Sequence, residues 1–83
     1  MKYAYYDFRG RLARGNVDIM DYDDLRTRFE FYDGGTWAKD EERSLHLSDA
    51  MMDYGGYSPS DYEDLTVEQA MQMIEKLDKG EKR

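Results

Sequence analysis

No cysteine occurs in the 83 residues of this chain, and this absence limits how the fold can be held together. Disulfides, thiolate nucleophiles and the usual structural zinc sites are excluded with it. A chain of this length is expected to form one domain, residues 1–83, that buries only about 60–65% of its unfolded surface. A small apolar core must therefore stabilise it, and we expect partners to bind on its outside rather than in a large cavity.

Charge is distributed unevenly along the sequence. Residues 1–16 carry four basic residues and one acidic residue, whereas residues 17–65 carry fourteen acidic and four basic residues. The remaining residues are balanced, and the formal net charge is −7. The acidic middle of the chain should repel nucleic acid and attract basic surfaces. Because 40% of the residues are hydrophobic and 14% are aromatic, the chain is expected to fold rather than to form an acidic disordered tail.

No segment has the features of a signal peptide or of a membrane span. Residues 1–7 lack the uninterrupted apolar stretch of a signal peptide. No run approaches the roughly 18 apolar residues that a transmembrane helix needs. We therefore expect a soluble protein of the cytoplasm.

The N-terminal residues predict an antiparallel β-hairpin. Residues 2–8 are rich in aromatic side chains, which favour a strand. Residues 9–10 are a plausible turn, and residues 11–14 can return antiparallel to the first strand. Residues 17–19 alternate between apolar and polar types, so they either extend that strand or form another.

Residues 21–35 fit two structures. As a helix, they place their apolar side chains in a single stripe, with Asp21 as the N-cap and Gly34 as the C-terminal stop. As a strand, residues 26–32 alternate cleanly, and residues 33–37 would supply a glycine turn and the start of a second strand. The capping residues favour the helix, whereas the threonine, phenylalanine and tyrosine content favours the hairpin. We give a slight preference to the helix.

A second helix is predicted from Leu45 onward, after a polar segment, residues 38–44. Apolar residues recur there at helical spacing, with Ser48 as the candidate N-cap and Gly55 following the last turn. Residues 57–61 predict a loop.

The C-terminal helix, about residues 67–79, is predicted most clearly. Thr66 and Gln69 are spaced as a capping box, and Gly80 ends the pattern before a tail, about 80–83, that should fray. The predicted apolar face consists of Val67, Ala70, Met71, Ile74 and Leu77. The predicted fold class is α+β, with a short N-terminal antiparallel β-hairpin or sheet packed against two or three short helices.

The chain contains no recognisable catalytic motif. His46 is the single histidine, and no serine lies in a nucleophile elbow. Neither type of glycine-rich phosphate loop is present. The carboxylates near Asp18 and Asp21 do not have the spacing of an EF-hand, because neither register places a glycine at position six or a glutamate at position twelve. We predict a protein that is not an enzyme and that binds no cofactor and no metal.

Arg9, Arg11 and Arg14 form the single basic cluster of the sequence. Such a cluster can bind phosphate or an acidic partner. Balancing of neighbouring acids on a hairpin is the simpler interpretation.

Acidic residues and tyrosines are interleaved, and one such pattern occurs twice. The two copies supply the predicted partner-binding residues, which are Asp21, Tyr22, Asp23 and Asp24, and Asp61, Tyr62, Glu63 and Asp64. Tyrosine provides large contact area at low entropic cost. A regular array of carboxylates can occupy a groove lined with arginine and lysine that would otherwise hold a nucleic-acid backbone.

A short, acidic, cysteine-free chain without an enzyme motif resembles, as a class, the anti-restriction and anti-CRISPR inhibitors encoded by phages and mobile elements. This resemblance implies a DNA- or RNA-mimic-like protein that masks a basic, nucleic-acid-binding partner and does not itself bind nucleic acid or membrane. The alternative is a small structural or adaptor module that forms a homodimer. Its contacts would be electrostatic, or apolar through exposed Met51, Met52 and Met73.

Overall fold

The computed structural model describes residues 2–16 and 26–79. These residues form an antiparallel sheet and two α-helices. The strands are β1 (Tyr3–Phe8), β2 (Arg11–Asn16), β3 (Phe29–Asp33), β4 (Thr36–Lys39) and β5 (Tyr62–Leu65). The helices are α1 (Glu41–Met51) and α2 (Val67–Asp78), and a short 3-10 turn, Pro59–Asp61, precedes β5. The predicted α+β class, with N-terminal strands and a C-terminal helix, is confirmed.

The strand order across the sheet is β4-β3-β2-β1-β5. The predicted hairpin of β1 and β2 is confirmed, with Phe8 opposite Arg11 at the turn. β3 and β4 continue the sheet beyond β2, and the last strand returns to pair with the first. Within the described residues, β4 and β5 are therefore the two edges. The possible strand at residues 17–19 lies outside the described residues.

The preference for a helix over residues 21–35 is wrong for the described part of that segment, because β3 and β4 form a hairpin there. Phe29 and Phe31 alternate inward and are both buried, which a sheet permits and a helical stripe would not. Gly34 and Gly35 have φ values of +60° and +91°, as a two-residue hairpin turn requires. Glycine chemistry at the turn thus outweighs the capping pattern, whose proposed N-cap, Asp21, lies outside the described residues.

The sheet is covered by one helix on each face. On the side of α1, Leu47 and Ala50 pack against a cluster that includes Phe29 and Phe31. On the side of α2, Ala70 packs with Leu12 and Tyr32, and Trp37 and Leu65 lie against this second cluster. Alternate residues of each strand therefore pack in different clusters. Tyr32 points to the face opposite that of Phe29 and Phe31, and it is buried there under α2.

α1 begins earlier than the sequence suggests. Its N-cap is Asp40, whose Oδ1 accepts a hydrogen bond of 3.1 Å from the backbone N–H of Arg43. This hydrogen bond is the main cause of the lowered pKa of Asp40. Ser48, the predicted N-cap, instead lies inside the helix and is fully buried. The sequence prediction was wrong because the polar residues before Leu45 belong to the helix itself, which buries Ser44 as well.

Replacing Ser48 by alanine is expected to leave the free energy of unfolding unchanged or to raise it by up to about 1 kcal/mol. Its buried Oγ has no hydrogen-bond partner among the described residues, so alanine removes an unmet polar group. Asp40→Ala, in contrast, should lower the free energy of unfolding by about 1 kcal/mol because it removes the true cap. Thermal unfolding followed by circular dichroism compares the two variants. A larger loss for Ser48→Ala than for Asp40→Ala would contradict the structure.

α2 begins as predicted with a reciprocal capping box. Thr66 Oγ1 accepts a hydrogen bond of 3.1 Å from the N–H of Gln69, and Gln69 Oε1 accepts one of 2.8 Å from the N–H of Thr66. The predicted apolar face needs correction. Ala70 and Ile74 pack on the sheet as expected, together with Met73. The exposed members are Val67, Met71 and Leu77, at 59%, 60% and 42%. A helix lying across a sheet buries only a narrow stripe, and the residues on either side of it contact solvent.

Candidate partner-binding surface

The second acidic copy of the sequence lies at an edge of the sheet, in β5 and the turn before it. β5 and β1 are antiparallel, and the paired residues are Phe8 and Tyr62, Asp7 and Glu63, Tyr6 and Asp64, and Tyr5 and Leu65. Tyr62 packs in the cluster on the α1 side, and Leu65 packs in the cluster on the α2 side. Because side chains alternate along a strand, Glu63 projects on the α2 side and Asp64 on the α1 side.

Asp61 contributes to the fold through several hydrogen bonds. Its Oδ1 accepts hydrogen bonds from Arg9 Nε and Nη2, at 3.2 Å and 3.1 Å. Its Oδ2 accepts one of 2.9 Å from the backbone N–H of Ser58. The Ser58 N–H is the main cause of the lowered pKa of Asp61, and the Arg9 guanidinium adds to it. Asp61 thus ties the turn before β5 to the β1–β2 hairpin.

Protonation of Asp61 should contribute to the loss of stability at acid pH. A carboxylate with a lowered pKa stabilises the folded state above its unfolded pKa of about 3.9, and this contribution is lost as the pH falls through the folded value. We therefore expect Asp61→Asn to be destabilising at neutral pH, with the difference from the unchanged protein shrinking below about pH 4. Urea unfolding over a pH series measures this difference. Ser60→Ala, a variant of the same turn without an ionisable group, should show a difference that does not vary with pH.

Tyr62 is half-buried rather than fully presented to solvent. Its ring meets the ring of Tyr6 edge to face, with centroids 6.0 Å apart. Part of its surface is therefore used inside the fold. Its contact with a partner stays a prediction that involves the remaining, solvent-facing part of the ring.

Two carboxylates, those of Asp7 and Glu63, face each other across β1 and β5. Directly opposite side chains on one face have Cβ atoms only about 4.5–5.5 Å apart, and like charges in such a pair are destabilising. Asp7 Oδ1 accepts a hydrogen bond of 2.8 Å from the N–H of Gly10. Within residues 2–16 and 26–79, no lysine or arginine forms an ion pair with Asp7, Glu63 or Asp64. These three residues are called the anionic edge below.

The first acidic copy, comprising Asp21, Tyr22, Asp23 and Asp24, lies outside the described residues. Of the eight predicted partner-binding residues, the described four lie on one strand and its preceding turn, and two of them, Glu63 and Asp64, are exposed.

Sequence reasoning missed how the arginines of the first hairpin are divided between the two faces. Arg14 lies on the α2 side, between the rings of Tyr3 and Trp37, and donates a hydrogen bond of 2.8 Å to Glu30. Arg9 and Arg11 instead line a groove on the α1 side, and Arg11, at the end of β2, also borders a cavity on the α2 side. The period of two along β2 was the available signal, since Arg11 and Arg14 are three positions apart and must face opposite ways.

Methionines contribute less exposed surface than the sequence suggested. Met51 and Met73 pack against the two core clusters, whereas Met52 is 56% exposed. The expected contact surface of three methionines is thus reduced to one of them.

The cavities found in the described parts of the chain are shallow and open, with volumes of about 250–310 Å³. No three acidic or histidine side chains of residues 2–16 and 26–79 are grouped so that they could hold a metal ion. No helix in these ranges is long and apolar enough to cross a bilayer. Comparisons with protein-family models, with curated proteins and with solved structures gave no match.

Proposed function

We propose that this protein is a non-enzymatic binding protein that masks the basic, nucleic-acid-binding surface of a partner through the anionic edge. The observation that carries the proposal is the pairing of Asp7 with Glu63 on one face of the sheet without a cation from the described residues. This pair costs stability in the isolated protein. A lysine or arginine of a partner placed between the two carboxylates would remove the repulsion and gain two charge-assisted hydrogen bonds.

The placement of the acids suits a basic groove. Glu63 and Asp64 lie on opposite faces of an edge strand, so a partner that surrounds this edge can meet both carboxylates. Grooves that bind nucleic acid are lined with arginine and lysine, and their affinity for phosphates depends strongly on salt. A protein with a net charge of −7 is attracted to such a groove over long distances, which accelerates association. The resemblance in composition to small anti-restriction and anti-CRISPR inhibitors points to the same class of partner.

A displacement experiment tests the proposal. A fluorescent DNA duplex is first bound to a lysine-rich histone, and the protein is then titrated into the complex at low and at high salt. We expect the protein to release the DNA at low salt and to lose this effect as salt screens the charges. The variant Glu63→Lys with Asp64→Lys should require about tenfold more protein for the same release.

The matched control is Asp33→Lys with Glu75→Lys. Both of these residues are exposed, and the double change alters the net charge by the same amount at sites that belong to neither β1 nor β5. If the two double variants are impaired equally, net charge rather than the anionic edge is responsible. DNA that stays bound to the histone at every concentration of the unchanged protein would contradict the proposal as a whole.

The second proposal is a homodimer, and the exposed apolar side chains on α2 favour it. Val67 and Met71 are one helical turn apart and are both about three-fifths exposed. Sedimentation at low and high salt measures the mass. A monomer under both conditions would contradict this alternative and leave the masking proposal unaffected.

A further inference from the structure

A basic groove lies on the α1 side of the sheet, where the β1–β2 turn approaches α1. It has a volume of about 310 Å³ and is lined by Phe8, Arg9, Arg11, Arg43, His46 and Tyr57. We call it the arginine groove. The hairpin supplies Phe8, Arg9 and Arg11, α1 supplies Arg43 and His46, and the loop after α1 supplies Tyr57. Three segments that are distant in sequence thus bring three guanidinium groups and one imidazole to the same concave surface.

The side chains of the arginine groove are held in place by contacts with one another. The imidazole of His46 stacks on the ring of Tyr57, with centroids 4.7 Å apart and planes 20° apart. The guanidinium carbon of Arg9 lies 4.8 Å from the centroid of the same Tyr57 ring. Arg43 Nη1 donates a hydrogen bond of 2.6 Å to Asp40 Oδ2, and Asp40 is itself fixed as the N-cap of α1. Because these positions are set before any ligand arrives, binding requires little reorganisation.

The guanidinium groups keep hydrogen-bond donors for a ligand. Arg9 uses Nε and Nη2 to bind Asp61, and Arg43 uses Nη1 to bind Asp40. Each guanidinium carries several further N–H groups, which no described residue accepts. Arg11 is exposed and forms no hydrogen bond or close ion pair with any described residue, although it attracts the carboxylate of Asp40 at longer range. The arginine groove therefore presents donors from three directions.

We propose that the arginine groove binds the phosphate group of a small molecule. Guanidinium groups match phosphate oxygens in geometry and charge better than any other side chain does. The volume of the groove lies near the lower limit of small-molecule sites, which suits a phosphate with at most a small attached group. Arg11 and Arg43 supply the main contacts, and Arg9 and His46 flank them. This site is separate from the anionic edge, so either proposal can fail without the other.

Two acidic neighbours, Asp40 and Glu42, oppose phosphate binding. Asp40 is held by its hydrogen bonds to Arg43 and also attracts Arg11. Glu42 lines the adjoining cavity, which shares Arg43 and His46 with the arginine groove. The carboxylate of Glu42 is exposed and repels an incoming anion, although dissolved salt screens part of this repulsion. Removing this charge should therefore tighten binding, whereas removing a guanidinium should weaken it. The opposite signs of the two effects provide an internal check on the location of the ligand.

Nuclear magnetic resonance of the full-length ¹⁵N-labelled protein tests the proposal. Inorganic phosphate, adenosine monophosphate and adenosine are titrated separately at an ionic strength held constant with sodium chloride. We expect saturable shifts of the Nε–Hε signals of Arg9, Arg11 and Arg43 with both phosphate compounds and none with adenosine. Tighter binding of the nucleotide would identify an attached nucleoside as part of the ligand, and equal binding would identify free phosphate; both results support the site.

Three variants locate the binding. Arg11→Gln should weaken phosphate binding about tenfold, since a charge-assisted contact is lost. Arg26→Gln is the matched control, because it removes the same charge from an exposed residue that does not line the arginine groove, and it should leave binding unchanged. Glu42→Gln should tighten binding about twofold to threefold. Equal weakening by Arg11→Gln and Arg26→Gln, shifts produced by adenosine alone, or no saturation at tens of millimolar phosphate would each overturn the proposal.

Discussion

Replacing Phe29 by alanine is expected to lower the free energy of unfolding by about 3–5 kcal/mol, the largest loss among the variants described. Phe29 is fully buried in the cluster on the α1 side, and its ring meets that of Tyr6 edge to face at 5.7 Å. Its backbone N–H donates a hydrogen bond of 3.1 Å to Ser44 Oγ, so Phe29 also connects β3 to α1. Truncation of a buried phenylalanine costs about 3–5 kcal/mol. The total free energy of unfolding of a domain of this size is only about 5–10 kcal/mol, so this loss is a large fraction of it.

Urea unfolding measures the effect, with circular dichroism and the fluorescence of Trp37, the single tryptophan, as two probes. Phe29→Leu should lose only about 1–2 kcal/mol, because most of the buried volume is kept. Tyr54→Ala is the control for removal of an aromatic ring from the surface, since Tyr54 is 68% exposed. It should change the free energy of unfolding by less than about 0.5 kcal/mol. An unfolding midpoint for Phe29→Ala equal to that of Tyr54→Ala would contradict the described core.

Arg14→Ala is expected to lower the free energy of unfolding by about 2–3 kcal/mol, an unusually large effect for a charged residue. The guanidinium carbon lies 4.1 Å from the ring centroid of Tyr3 and 4.3 Å from that of Trp37. Arg14 Nε also donates a 2.8 Å hydrogen bond to Glu30 Oε1, and its side chain is only 20% exposed. Removing it takes away two cation–π contacts and leaves the carboxylate of Glu30 without this partner.

A double-mutant cycle separates these contributions. Arg14→Ala, Glu30→Ala and the combined variant are compared by urea unfolding. The cycle should give a coupling energy of about 1 kcal/mol between the two residues. The part of the free-energy loss of Arg14→Ala that is not coupled to Glu30 is the larger one, and it measures the packing of Arg14 between the two rings. The fluorescence of Trp37 should change in the two variants that lack Arg14 and not in Glu30→Ala. Arg26→Ala, an exposed arginine, is the control and should have little effect. A cost for Arg14→Ala no greater than that of Arg26→Ala would contradict the stacked arrangement.

The elements that the sequence predicted well are those specified by residues close together in the chain. The α2 capping box involves Thr66 and Gln69, three positions apart, and the structure contains it as expected. The β1–β2 hairpin follows from two aromatic or alternating segments joined by a short turn. Such signals do not depend on what packs against them, so local chemistry is sufficient to recognise them.

Residues 26–35 were harder because two local signals disagreed and tertiary packing decided between them. Phe29 and Phe31 become buried only because α1 covers that face, and Tyr32 becomes buried only because α2 covers the other. Neither helix can be located from the segment itself. Ser48 was misassigned for a related reason: a serine can begin a helix or be buried within one, and only the position of Asp40 distinguishes the two.

The contacts of the candidate surface also depend on residues that are distant in sequence. Composition was sufficient to predict that Glu63 and Asp64 would be solvent-exposed acids. The ion pair of Asp61 with Arg9 joins residues fifty-two positions apart, and the facing of Asp7 and Glu63 depends on the register of β1 with β5. No spacing rule within a single segment reports either contact, because register between distant strands is set by the whole packed sheet.

The pairing of the last strand with the first also fixes when the anionic edge can exist during synthesis of the chain. Asp7 leaves the ribosome before the strand that carries Glu63, which lies 56 positions later in the chain. Until Leu65 has cleared the exit tunnel, β1 lacks its outer neighbour, and the two carboxylates cannot be brought face to face. A nascent or truncated chain therefore cannot present this surface, and neither can a synthetic peptide of β5 alone. Any partner that recognises it recognises a chain in which β5 has already paired with β1.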